Sequence, residues 1–176
     1  MLIKTIFAGF GGQGVLSMGL TLTNAAMLEG KQVTYLPSYG AEVRGGTANC
    51  TVVISDEEIA SPVASSPEFI VVMNQPSLVR FHNQIKSGGL FFINSSLTEG
   101  EISRDDIDVV SVPANGIAEE LGNPKSANVV MLGAFVKKSS LVSLSGIIEE
   151  LNNTLKKKPK LIAINKQALM AGYDLF

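Results

Sequence analysis

Residues 2–36 read LIKTIFAGFGGQGVLSMGLTLTNAAMLEGKQVTYL, and the order of their patterns decides the fold. Leu2 to Phe7 is a short apolar run leading into glycine, the mark of a buried strand. Val15, Met18, Leu22, Ala25 and Ala26 recur at helical spacing over residues 15–29, and Gly30 stands where a helix C-cap belongs. Gln32 to Leu36 is a second strand. Strand, glycine loop, helix and strand within 36 residues is the order of a βαβ unit.

The alternation continues outward from there. An irregular segment, Pro37 to Gly46, precedes a Val/Thr/Ile-rich strand at Thr47 to Ile54. A loop with Pro62 and Pro67 leads to a strand at Phe69 to Met73. Pro76 opens a helix expected to reach about Lys86, where Gly88 and Gly89 end it. Leu90 to Ile93 and Val109 to Val112 read as strands. Beyond Pro113 the pattern turns helical: Leu144, Ile147, Ile148, Leu151 and Leu155 form one apolar stripe. Lys156, Lys157 and Lys158 follow as a solvated helix end, which the helix dipole favours. A final helix is expected over Leu161 to Met170, stopping near Gly172. No linker divides the chain, so residues 1–176 are read as a single domain. The expected class is a three-layer α/β/α sandwich around a mostly parallel sheet with room for an antiparallel strand.

Composition narrows the function classes. The 176 residues include 45% hydrophobic and 17% charged side chains, which excludes a disordered chain. A formal net charge of −2 leaves no footprint for nucleic acid. No signal peptide and no run of about 18 apolar residues is present, so a cytoplasmic protein without membrane contact is expected. Cys50 is the only cysteine, and His82 the only histidine. One thiol forms no intrachain disulfide and does not hold an iron–sulfur cluster, and a zinc site lacks its donors. No metal site and no catalytic residue is therefore assigned to this chain.

Two segments carry the binding chemistry. Gly9-Phe10-Gly11-Gly12-Gln13-Gly14 fits G-x-G-x-x-G between a strand and a helix. Glycines reach positive φ and let backbone amides approach an anion at the helix N-terminus; the same glycines also serve close strand–helix packing. An NAD site needs an acid at the end of the second strand, where Leu36-Pro37-Ser38 offers none. A P-loop needs Lys-Ser or Lys-Thr after the glycines, which is missing as well. The second segment, PSYGAEVRGGT at 37–47, follows a strand and belongs at the same end of the sheet. There Arg44, beside Gly45 and Gly46, offers a guanidinium to a phosphate or carboxylate; pairing with Glu42 or Asp56 is the alternative.

Together these segments resemble the gamma subunit of 2-oxoacid:ferredoxin oxidoreductases. The resemblance rests on GFGGQGV at 9–15, LPSYGAEVRGGTANC at 36–50, VVISDEEIASP at 52–62, MNQPSL at 73–78, GGLFFINSSL at 88–97, MLGA at 131–134 and the AINKQAL…GY ending. The TANC wording resembles 2-oxoglutarate or branched-chain enzymes more than pyruvate enzymes, and Ala41 stands where many relatives have proline. The resemblance implies a Rossmann-like fold and an accessory role in the oxidative decarboxylation of a 2-oxoacid, 2-oxoglutarate above all, to acyl-CoA. It implies alpha and beta partners, and a ferredoxin-like delta subunit, that carry thiamine diphosphate and iron–sulfur clusters and pass electrons to ferredoxin. The isolated chain is expected to be inactive and to hold no cofactor alone, with self-association allowed for when partners are absent. Gly9, Gly11, Gly12, Gln13, Gly14, Tyr39, Arg44, Gly45 and Gly46 are the candidate residues for contact with coenzyme A or a partner. An indolepyruvate oxidoreductase subunit and a stand-alone nucleotide-binding regulatory module are the competing readings.

Other conspicuous residues are read as structural. Cys50 falls in a strand as a small buried thiol, His82 stands without a matching acid and nucleophile, and Asn94-Ser95-Ser96 reads as a capped turn. Asp105, Asp106 and Asp108 lack the glycine and distal glutamate of a calcium loop.

Overall fold

The computed structural model describes residues 1–40, 46–100 and 102–176. Six strands form one sheet: β1 (Leu2–Phe10), β2 (Gln32–Tyr39), β3 (Thr47–Ser55), β4 (Phe69–Val72), β5 (Leu90–Asn94) and β6 (Asp108–Val112), in the order β2-β3-β1-β4-β5-β6. β1, β4, β5 and β6 are parallel, and β3 runs antiparallel between β1 and β2. The helices are α1 (Val15–Leu28), α2 (Gln75–Phe81), α3 (Ala114–Glu120), α4 (Ala127–Ser139), α5 (Leu144–Leu155) and α6 (Pro159–Tyr173).

The sheet is mixed, and the first βαβ order does not make β1 and β2 neighbours. Cys50 of β3 faces Phe7 of β1 on one side and Pro37 of β2 on the other. The burial of each strand explains the arrangement. β3 alternates and then runs wholly buried, as a strand with partners on both sides does, whereas most of β2 is exposed. Proline donates no ladder hydrogen bond and is tolerated at an edge, so β2 continues through Pro37 to Tyr39 rather than stopping at Leu36.

Side chains alternate across the sheet. Phe7, Val52, Val71 and Phe92 face the larger core under α1 and α3–α6, while Ile6, Ala8, Ile70 and Phe91 face a smaller core covered by Leu78 and Phe81 of α2 and by Ala64, Ile85 and Ile107. Both faces are covered, as the sandwich class requires, and the second layer is thin. Phe135 of α4 anchors the larger core, its ring 5.4 Å from Phe7, 5.5 Å from Phe69 and 5.3 Å from Phe92. Every residue of α4 from Val129 to Val136 is buried, so the helix has no polar face to betray its period.

Among the helices, α2 and α6 have boundaries that differ from the sequence expectation. α2 closes at Phe81, because the Lys86 amide turns away to the Pro67 carbonyl at 3.0 Å and Arg104 takes the Ile85 carbonyl at 3.0 Å. α6 extends from Pro159 to Tyr173 and contains Gly172, which therefore does not terminate it. A side chain at Gly172 would run into the Val130 carbonyl of α4, so this glycine exists for helix–helix approach. Lys156, Lys157 and Lys158 are exposed at the α5–α6 turn, as expected.

Candidate functional site

β1 and β4 lie side by side, but α1 leads the chain from β1 toward β2 at one edge and α2 leads it from β4 toward β5 on the other side. Such a reversal opens a crevice beyond the carboxyl ends of the strands, the usual ligand position in open α/β sheets. The glycine loop stands at that rim.

The loop divides into scaffold and surface. A Cβ on Gly9 would lie 2.8 Å from both Gln13 Oε1 and Val15 Cγ1, so Gly9 is required for packing. Gln13 is also turned inward: its Oε1 accepts from the Phe10 amide at 2.7 Å and from Asn74 Nδ2 at 2.7 Å, and its Nε2 donates to the Met73 carbonyl at 3.3 Å. Gly12 (φ 98°) and Gly14 (φ 74°) need the left-handed region, and nothing stands within 4 Å of an added Cβ at Gly12. Gly11, Gly12 and Gly14 line a cavity of about 650 Å³, within the range of small-molecule sites.

The second segment closes the same cavity. The Gly11 amide donates to the Gly46 carbonyl at 2.9 Å, and the Gly40 amide to the Thr47 carbonyl at 3.3 Å. The opposite wall is therefore Tyr39, Gly40, Gly46 and Thr47, with Phe10 and Leu16 supplying apolar surface. Tyr39 is 70% exposed, its ring uncommitted to the core. The first turn of α1 opens here without a side-chain cap, so its unpaired amides and positive dipole end face the cavity. Arg44 and Gly45 lie outside the described residues. Asp56, one alternative partner for Arg44, sits past the far end of β3, paired with Lys31 at 2.6 Å and with the N-terminal ammonium at 2.9 Å.

The titratable groups nearby are suited to structure rather than proton transfer. Burial pushes the Cys50 thiol up to about 12, and its Sγ contacts the Val15 carbonyl at 3.5 Å. Burial, then the neighbouring Cys50 and Tyr39, raise Tyr35 to about 12. The Tyr35 hydroxyl donates to the Leu16 carbonyl at 3.2 Å and so ties the edge hairpin to the first turns of α1. Among the described residues no group of three or more His, Cys, Asp or Glu is placed to hold a metal ion, and none of their helices is long and apolar enough to cross a membrane. His82 caps α2 with Nδ1 2.9 Å from the Val79 carbonyl. Asp106 pairs with Arg104 at 2.7 Å on the surface. Ser96 Oγ accepts from the Gly116 amide at 3.2 Å, capping the turn into α3.

Sequence reasoning did not single out Asn74, Asn115, Lys125 or Asn128. Asn74 has a legible signal, an N-cap before Pro76 whose Oδ1 accepts from the Ser77 amide at 2.9 Å. The other three reach the rim only through tertiary packing.

The fold and rim define an α/β domain with a glycine-lined cavity beyond the carboxyl ends of its parallel strands. The chain belongs to the pyruvate ferredoxin/flavodoxin oxidoreductase family, which it matches over residues 4–175. The ketoisovalerate oxidoreductase subunit VorA of Methanothermobacter marburgensis is 40% identical over 98% of this chain, which spans 36% of that relative's length. The 2-oxoglutarate synthase subunit KorC of the same organism is 37% identical, covering 96% of this chain and 93% of KorC. The gamma subunit of a keto/oxoacid ferredoxin oxidoreductase from Geobacter sulfurreducens superposes with a TM-score of 0.82 at 26% identity, covering 98% of this chain and 96% of that one. The 2-oxoglutarate:ferredoxin oxidoreductase of Magnetococcus marinus, solved with 2-oxoglutarate, coenzyme A and succinyl-CoA bound, superposes with a TM-score of 0.91 at 25% identity, over 99% of this chain and 31% of that one.

Proposed function

We propose that this chain is the gamma subunit of a thiamine-dependent 2-oxoacid:ferredoxin oxidoreductase and contributes part of the coenzyme A site without catalysing a step itself. The observation that carries this reading is the Gly11–Gly46 hydrogen bond at 2.9 Å, which joins the two family segments into one rim around a cavity of about 650 Å³. Open amides at a helix N-terminus suit an anionic ligand, and the Phe10 and Tyr39 rings suit a planar base or an apolar arm. Coenzyme A has both kinds of group, and supplies the thiol that receives the acyl unit. The residues here bind and orient it; thiamine diphosphate and the clusters belong to alpha, beta and delta partners, since one buried cysteine offers no cluster ligand set.

Likeness to a ketoisovalerate oxidoreductase subunit and to a 2-oxoglutarate synthase subunit supports a branched-chain 2-oxoacid or 2-oxoglutarate as the substrate. Assay of the assembled complex with 2-oxoglutarate, ketoisovalerate and indolepyruvate separates these. The test of the binding role is Tyr39→Ala and Arg44→Ala in that complex. Both are expected to raise the coenzyme A KM with normal assembly and an unchanged 2-oxoacid KM. An unchanged coenzyme A KM in both variants refutes the reading.

A further inference from the structure

A second cavity, of about 210 Å³, lies on the other side of the Gly12 turn. Gly12 lines both cavities, so the loop forms a ridge between an apolar, aromatic-walled space and a smaller polar one. The smaller space is bounded by Gly12, Gln13 and Met73 at the β1–β4 reversal, and by Asn115, Lys125 and Asn128. Its volume corresponds to roughly seven waters of about 30 Å³ each, room for a phosphoryl or diphosphoryl group.

The hydrogen-bond network sets the polarity of its wall. Asn94 is fully buried, and its Nδ2 donates to the Met73 carbonyl at 3.2 Å and to Asn115 Oδ1 at 2.8 Å. A backbone carbonyl only accepts, so Asn94 has one orientation, and that orientation occupies the oxygen of Asn115. The amide nitrogen of Asn115 is then the end left to donate. Gln13 Oε1 is filled by the Phe10 amide and Asn74 Nδ2, and its Nε2 gives one hydrogen to the Met73 carbonyl, so its oxygen is not free to oppose an anion. Asn128 spends its Nδ2 on the Gly14 carbonyl at 3.4 Å and keeps one acceptor oxygen.

Two sources of positive potential complete the wall. Lys125 stands in the 3-10 turn Pro124–Ser126, exposed, and forms no ion pair among the described residues. The same turn leads into α4, whose first residues, Ala127 and Asn128, line the cavity and whose N-cap makes no side-chain hydrogen bond. None of the lining residues is acidic. A cation, an amide donor and the positive end of a 13-residue helix thus converge on one small space.

We infer that this cavity is an anion subsite, with Lys125 and Asn115 as its donors, for a phosphoryl group of the ligand whose apolar part occupies the larger cavity. The inference rests on the proposed binding role and adds to it the position of the phosphate and the residue that recognises it. The ligand straddles the Gly12 turn, where any side chain on the ridge would obstruct the crossing.

The experiment uses the assembled complex carrying Lys125→Ala, with coenzyme A and the phosphate-free thiol pantetheine compared as acyl acceptors. The KM for coenzyme A is expected to rise about tenfold, the loss of one charge-assisted hydrogen bond. The pantetheine KM, kcat and thermal midpoint are expected to stay unchanged. Calorimetric binding of inorganic pyrophosphate to the complex is expected to weaken in parallel. An unchanged coenzyme A KM, or equal rises for both thiols, overturns the subsite. A raised KM for the 2-oxoacid with coenzyme A unaffected also overturns it, by assigning the cation to a substrate carboxylate. Tyr39→Ala separates the two levels: if it raises the coenzyme A KM while Lys125→Ala does not, the binding role stands and the subsite falls. If Tyr39→Ala, Arg44→Ala and Lys125→Ala all leave it unchanged, both fall.

Discussion

Gln13 and Asn74 are joined across the β1–β4 reversal, Asn74 Nδ2 donating to Gln13 Oε1 at 2.7 Å. One residue follows β1 and the other follows β4, so this contact helps tie the glycine loop to the turn that opens α2. The same Gln13 oxygen takes the Phe10 amide, while its nitrogen reaches the Met73 carbonyl. Gln13 thus holds the shape of the glycine loop from inside and does not line the larger cavity.

Gln13→Ala removes three hydrogen bonds and takes the shared acceptor from the Phe10 amide and Asn74 Nδ2, while the Met73 carbonyl keeps Asn94 Nδ2 as its donor. A destabilisation of about 2–3 kcal/mol is expected, read as a fall in the thermal midpoint of about 5–10 °C for a chain of this size. Binding at the rim weakens as a consequence. A midpoint within 1–2 °C of the parent, on the order of the scatter between preparations, contradicts the staple role.

Gly172 separates packing from propensity. In an exposed helix, Gly to Ala gains about 1 kcal/mol. Here the added methyl meets the Val130 carbonyl of α4, so Gly172→Ala is expected to destabilise by about 1–3 kcal/mol despite that gain. Chemical denaturation with an unchanged m-value measures it; a stabilised variant means that α4 and α6 are not pressed together at this point.

Cys50 is expected to resist thiol reagents in the folded chain, since it is fully buried and its thiol is raised to about 12 by that burial. Labelling at pH 8 should be slow without denaturant and rapid with it. The raised value also sets a sign. The neutral thiol is the form the fold prefers, so its contribution is fully present below the ordinary value of 9.0 and is lost as pH rises toward about 12. Cys50→Ala should therefore flatten part of the alkaline decline in the thermal midpoint.

Asp56 has the opposite sign. The Lys31 hydrogen bond first, and the N-terminal ammonium second, lower it from 3.8 to about 2. Its contribution is present above about 4 and disappears as pH falls through about 2. Asp56→Asn should remove a small part of the acid-side loss of stability, and added salt should shrink the difference between the two proteins because the group is exposed. Identical pH profiles for variant and parent refute the pairing.

How far the rim could be read in advance differs from residue to residue. Gly12 and Gly14 announced a turn because few other residues adopt their φ, and the strand before and helix after announced where the turn would lie. Gly9 and Gln13, which belong to the same motif, face the interior, and spacing alone does not distinguish a residue that lines a cavity from one that supports it. Gly172 read as a stop signal because a glycine near a helix end usually is one.

Local physics, then, was enough for the strands, the caps and the glycine loop, since backbone freedom, apolar periodicity and proline chemistry act over a few neighbouring residues. Strand order was not local: β3 enters between β1 and β2 because its residues demand cover on both sides, and only the assembled sheet supplies it. The second cavity is the extreme case. Gly12, Met73 and Asn115 are separated by tens of residues, and only the folding of β1, β4, α3 and α4 against one another brings Asn115 and Lys125 to the same small space beside the Gly12 turn.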